Sequence, residues 1–264
     1  MNLSEREKSV PKDSQESLPG GFYPEDQERI KSFLEKFSQH VDLQRYLFVG
    51  RLSNAFSFAD KGIAYPPRPF NDLDALIEKP DSLPPSITAD FLIAHYHLNP
   101  RKVEDEFAFY FELVEPETKI KIDLFAQGLY SPQACFSVNY GGFSLNLQSP
   151  EDQVTTALLE VQSVLKGGTI EPKRVRDITL LMSTVDIKQA ERFYERKKRG
   201  KTNFPNLTLT EVYQAIKAKI EAEPKLIVEK LHNKTPYHCE DCVSVPGFEI
   251  TPMEEIYRIL GNVD

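Results

Sequence analysis

Residues 67–79 read PRPFNDLDALIEK, with Asp72 and Asp74 one residue apart inside an apolar run. Aspartate forms strands poorly, and a carboxylate facing a packed interior needs a partner. The proline-rich stretch AYPPRPF, residues 64–70, predicts an extended approach, because proline disfavours helix at its own position and at the one before it. DLDALIE then predicts a strand. Side chains two apart on a strand share a face, with about 3.3 Å of rise per residue, so Asp72 and Asp74 should project together roughly 7 Å apart. In TKIKIDLFAQ, residues 118–127, Ile120, Ile122 and Leu124 alternate with Lys119, Lys121 and Asp123. If the two strands are neighbours in one sheet, three carboxylates share one polar spot. Like charges so close raise a pKa unless a cation compensates them, and the hard cation suited to carboxylate oxygen is magnesium. Two such ions, about 4 Å apart, fit three aspartates.

Outward from this stretch, Ile30, Phe33, Leu34, Phe37 and Val41 recur at helical spacing and predict a helix with one buried face. RYLFVG, residues 45–50, predicts a buried strand running into a turn at Gly50, and LSNAFSFA a helix that Ser53 or Asn54 caps. SITADFLIAHYHL, residues 86–98, reads as a helix, EFAFYFELV and TKIKIDLFAQ as two strands joined across EPE, and CFSVNY with FSLNLQ as a hairpin about Gly141-Gly142. From Ser149 four helical patterns follow, and there is no internal repeat. The fold class expected is α+β, a mixed sheet flanked by helices and followed by a C-terminal helical domain. The boundaries expected are a disordered, polar segment over 1–22, the α+β domain over 23–148 and the helical domain over 149–264.

Lys and Arg number 32 against 40 Asp and Glu, a net charge of −8, so the chain as a whole is not built to wrap nucleic acid. The first residues lack the apolar core of a signal peptide, and no stretch approaches the roughly 18 apolar residues of a membrane span. With 3 cysteines, one of them remote from the other two, the expectation is a cytoplasmic protein in a reducing compartment, with no membrane partner.

Gly50 at a strand end before a helix, then Asp72-Leu73-Asp74, then Asp123 on a later strand, resemble the nucleotidyltransferase superfamily of the DNA polymerase β type. Within it PRPFNDLDAL is similar to the nucleotidyltransferase (AbiEii-like) toxins of type IV toxin–antitoxin systems, in which an arginine precedes the first aspartate by four residues, as Arg68 does. SPEDQVTTALLEVQ and PKRVRDITLL resemble the helices after the catalytic sheet of those proteins, so the likeness covers roughly residues 45 to 185. It implies transfer of a nucleoside monophosphate from a nucleoside triphosphate to an acceptor hydroxyl, on tRNA or protein, with release of pyrophosphate. Asp72, Asp74 and Asp123 would be the catalytic metal ligands, holding two Mg2+ ions, and Gly50, Ser53, Arg68 and Lys173 the nucleotide-binding residues. A cognate antitoxin is a partner that the resemblance admits. Two departures stand out: Arg51 replaces the second small residue of the glycine motif, and Ala157 stands where the toxin-like relatives carry lysine, which Lys166 or Lys173 could replace. They favour an alternative on the same fold, a catalytically weakened nucleotide-binding or scaffold protein.

Two further stretches carry chemistry. LHNKTPYHCEDCVSVPGF, residues 231–248, offers His232, His238, Cys239 and Cys242 as zinc ligands, although adjacent His238 and Cys239 seldom reach one tetrahedral ion and a second cysteine pair is missing. ERFYERKKRGKTNF, residues 191–204, gathers Arg192, Arg196, Lys197, Lys198, Arg199 and Lys201 beside Phe193, Tyr194 and Phe204. Its alternatives are a helix C-terminus complementing the dipole and a patch that grips RNA and stacks its bases.

Overall fold

A computed structural model describes residues 18–70, 72–77, 83–103, 106–126, 133–199 and 206–228, and three two-residue strands outside those ranges. Helix α1 (Pro24–His40) leads into β1 (Leu47–Val49), α2 (Gly50–Asp60) and, after the extended proline-rich segment, β2 (Asp72–Ile77). Strands β3 (Leu92–Val103), β4 (Glu106–Glu115), β5 (Ile120–Ala126), β6 (Ala134–Tyr140) and β7 (Phe143–Gln148) follow. Then come α3 (Pro150–Glu160), α4 (Pro172–Met182), α5 (Ile187–Lys198) and α6 (Leu209–Ala222).

The seven strands lie in the spatial order β6, β7, β1, β2, β5, β4, β3, and the two-residue strands extend the edges. The sheet is mixed: β1 is parallel to β7 and β2 to β5, whereas β1–β2, β4–β5, β3–β4 and β6–β7 are antiparallel. The fold is therefore the α+β mixed sheet flanked by helices that the sequence predicts. Alternation sets its buried side: Leu73, Ala75 and Ile77 of β2 and Ile120, Ile122 and Leu124 of β5 are all essentially inaccessible. The stripe of α1, Ile30, Phe33, Leu34 and Phe37, is buried with them, and Phe33 and Phe37 meet Phe91 edge-on. A single apolar cluster runs from these residues to Leu158, Ile178 and Val212 of the later helices.

The structure corrects three expectations. Residues 86–98 are not a helix: a short 3-10 turn (Pro85–Ala89) precedes strand β3, whose pairing with β4 outweighs the local helical pattern. Neither Ser53 nor Asn54 caps α2; the helix starts three residues earlier, at Gly50, whose φ of 63° the turn out of β1 requires, and both side chains are buried inside it. Leu18 and Phe22, in the stretch expected to be disordered, are buried in the core. Among the described residues no helix is long and apolar enough to cross a membrane.

Candidate active site

Strands β2 and β5 are parallel and in a register that sets Asp74 opposite Asp123 and Asp72 opposite Lys121. Neighbouring strands lie about 4.8 Å apart, and partners in register point to the same side. On the next strand, Glu112 of β4 stands opposite Asp123. Asp74, Asp123 and Glu112 thus form one row across three strands, with Asp72 one step along the same face of β2. Sequence reasoning missed Glu112 and its neighbour Tyr110, although alternate polar residues in the apolar run EFAFYFELV were the signal.

Burial differs along the row: Asp72 is exposed, Asp74 half-buried and Asp123 buried. Burial, followed by the charges of Asp72 and Asp123, pushes the Asp74 carboxyl up to about 7. Burial raises Asp123 as well, against the pull of Lys121. The Lys121 ammonium lies 2.9 Å from Asp123 Oδ2 and 3.1 Å from Glu112 Oε2, and the Tyr110 hydroxyl donates to Asp123 Oδ1 at 2.8 Å. Burial disfavours the Lys121 charge, yet Asp123 and Glu112 outweigh it and hold the ammonium above the usual lysine range. Burial, then Asp123 and Glu112, keep the Tyr110 proton in place.

The donor set fits a hard cation: three carboxylates, one of them strained by its neighbours' charge. As they stand, however, no three His, Cys, Asp or Glu groups among the described residues are arranged to hold a metal. The reason is visible in the hydrogen bonds, since Asp123 is committed to Lys121 and Tyr110.

Gly50 follows β1, beside this row, as the first residue of α2. A Cβ there would lie 2.8 Å from Asp74 Oδ2, closer than real Cβ contacts come, so glycine is required by space as well as by its φ. No side chain caps the helix that begins at Gly50. The other predicted residues are placed differently. Ser53 is fully buried, donating to the Gln148 carbonyl at 2.6 Å and accepting from Gln153 Nε2 at 2.7 Å, which leaves no face for a phosphate. Arg51 does not crowd the glycine turn. Its guanidinium donates to the carbonyls of Gly21, Arg68 and Pro69 and stacks 4.8 Å from the Phe22 ring and 5.4 Å from Phe70. Burial first, then Arg68, lower it to about 10.

Arg68 comes within 3.8 Å of Asp177, a buried α4 carboxylate that also accepts from Tyr65 at 3.3 Å and from Arg176 at 3.0 Å. Asp177 is therefore an ion-pair partner joining the proline-rich segment to α4. Lys173 pairs with Glu171 at 2.9 Å at the start of α4, Lys166 is exposed, and Ala157 packs on the core.

The basic stretch on α5 loses its base-stacking reading, because Phe193 and Tyr194 are 1% and 0% exposed. Lys197 is buried too, its ammonium 2.7 Å from Asp152 Oδ1. Cys135 is buried in β6, in line with its strand pattern. His232, His238, Cys239 and Cys242 lie outside the described residues, as do Lys201 and Phe204.

No protein-family profile matches the chain, and no curated protein is similar to it at a significant level. Among solved structures, an antigenic nucleotidyltransferase-like protein from Paracoccidioides brasiliensis is 14% identical, with a TM-score of 0.37 over 75% of this chain and 86% of that one. JHP933 from Helicobacter pylori is 10% identical, with a TM-score of 0.29 over 78% of this chain and 94% of that one. At such scores neither superposition carries weight for activity.

Proposed function

We propose that the chain is a metal-dependent nucleotidyltransferase, moving a nucleoside monophosphate from a nucleoside triphosphate to an acceptor hydroxyl on tRNA or protein. One observation carries this: Asp74 and Asp123 stand in register on adjacent parallel strands, with Asp72 on the same face. Asp72, Asp74 and Asp123 would hold the Mg2+ ions, whose chemistry when bound is to neutralise phosphate oxygens and make an attacking hydroxyl more acidic. Gly50 removes any side chain from the path of the triphosphate, and the uncapped amides of α2 receive its charge. Asp123, once free of Lys121, is placed to accept the proton of the attacking hydroxyl. The acceptor oxygen bonds to the α-phosphorus as the bond to pyrophosphate breaks.

Toxin-like activity and a cognate antitoxin belong to this proposal, resting on the resemblance of the sequence around Asp72 alone. A second reading, a nucleotide-binding protein that does not turn over, is favoured by the Lys121–Asp123 pair, which occupies a ligand. Incubation with Mg2+ and each α-labelled triphosphate, with and without total tRNA, separates the two. Labelled tRNA or labelled protein supports transfer; retained nucleotide without transfer supports the second reading. Transfer that survives in Asp74→Asn overturns the site, and neither binding nor transfer overturns both.

A further inference from the structure

The Lys121 ammonium lies between two carboxylates, 2.9 and 3.2 Å from the oxygens of Asp123 and 3.1 Å from Glu112 Oε2. The Tyr110 hydroxyl touches the same pair, at 2.8 Å from Asp123 and 3.3 Å from Glu112. Because Glu112 is the register partner of Asp123, the two carboxylates are adjacent seats for one cation. The Lys121 side chain is 33% exposed, so the pair is not sealed from solvent. A divalent ion shared by Asp74 and Asp123 would meet the ammonium at contact distance, where like charges repel strongly.

We propose that Lys121 is the built-in counter-ion of this acidic row, and that a divalent cation gains Asp123 by displacing the Lys121 ammonium onto Glu112. The inference rests on reading Asp72, Asp74 and Asp123 as a cation site. It gives Glu112 the task of receiving the displaced charge and makes Lys121 a positioning residue that sets the concentration at which the ion enters. Removing the ammonium then tightens cation binding. Removing the receiving carboxylate weakens it, but only while the ammonium is present.

The test is Mn2+ binding to the full chain without nucleotide, followed by the electron-paramagnetic signal of free Mn2+. Lys121→Met should bind on the order of tenfold more tightly than the parent, and Lys121→Gln should follow it if the methionine form folds poorly. Glu112→Gln should bind several-fold more weakly in the parent background and about equally in the Lys121→Met background, a coupling that loss of a nearby charge alone would not produce. Equal affinity for the parent and both Lys121 variants, with Asp74→Asn abolishing binding, overturns the counter-ion while leaving the cation site standing. So do additive effects of the two substitutions. Absence of Mn2+ binding in the folded parent and in both Lys121 variants overturns the cation site itself.

Discussion

Replacing Asp74 by asparagine should stabilise the protein near neutral pH while removing the proposed transfer. In the folded chain burial, Asp72 and Asp123 raise the carboxyl from 3.8 to about 7. A raised carboxyl favours the folded state only while protonated. Stability is therefore fully present below about 4 and falls as the pH climbs through about 7. The rise corresponds to a ceiling of roughly 4 kcal/mol, which the partial exposure of Asp74 brings nearer to about 2. Urea unfolding without divalent ions, at about pH 4 and about pH 8, measures it. The asparagine variant should match the parent in acid and exceed it by about 2 kcal/mol in mild alkali, with unchanged m-value. Saturating Mg2+ should narrow the gap by stabilising the parent alone. A gap that does not grow with pH, or a variant less stable at the higher pH, would refute the charge conflict on which this rests.

Three further substitutions probe how the site is held. Arg51→Lys keeps the charge but cannot reach three carbonyls in one plane or stack on Phe22 and Phe70, so thermal melting should fall by about 5 °C. Lys197→Met leaves the buried Asp152 carboxylate, 2.7 Å from the ammonium, without its charge partner, and chemical denaturation should show a loss of about 3 kcal/mol. For Glu115 burial acts upward, but hydrogen bonds from Thr118 and Lys36 outweigh it and lower the carboxyl to about 2. Its contribution is thus present above 4.5 and lost as the pH falls toward about 2, so Glu115→Gln should be less stable than the parent at neutral pH and approach it in acid.

Much of the fold is local in origin and could be read from residue order. Period-two alternation placed β2, β4 and β5, the glycine pair placed the turn between β6 and β7, and the α1 stripe placed its buried face. Strand β3 escaped because its residues suit either state, and only the pairing with β4, distant in principle from local preference, decides between them. Alternation placed Asp72 with Asp74 and put Asp123 on the polar face of its strand, but that the two strands are neighbours is only a condition until their pairing is seen. What alternation does not contain is which neighbour a side chain selects in a distant segment. The pairing of Asp123 with Lys121, two residues away on the same face of β5, is legible in the alternation, whereas the burial of Ser53 between Gln148 and Gln153 and the pinning of Arg51 on loop carbonyls join segments distant in the chain. The same holds for Phe193 and Tyr194, whose aromatic and basic surroundings resemble an RNA-binding surface until the packing of α5 hides both rings.

Diffraction from crystals soaked in Mn2+ and a non-hydrolysable nucleoside triphosphate tests the proposed cation site most directly. The account predicts an anomalous peak about 2.1 Å from carboxylate oxygens of Asp72, Asp74 and Asp123, with the triphosphate at the start of α2 and Lys121 turned to Glu112. A peak bound elsewhere, or none at saturating Mn2+ with Asp123 still joined to Lys121, would contradict it.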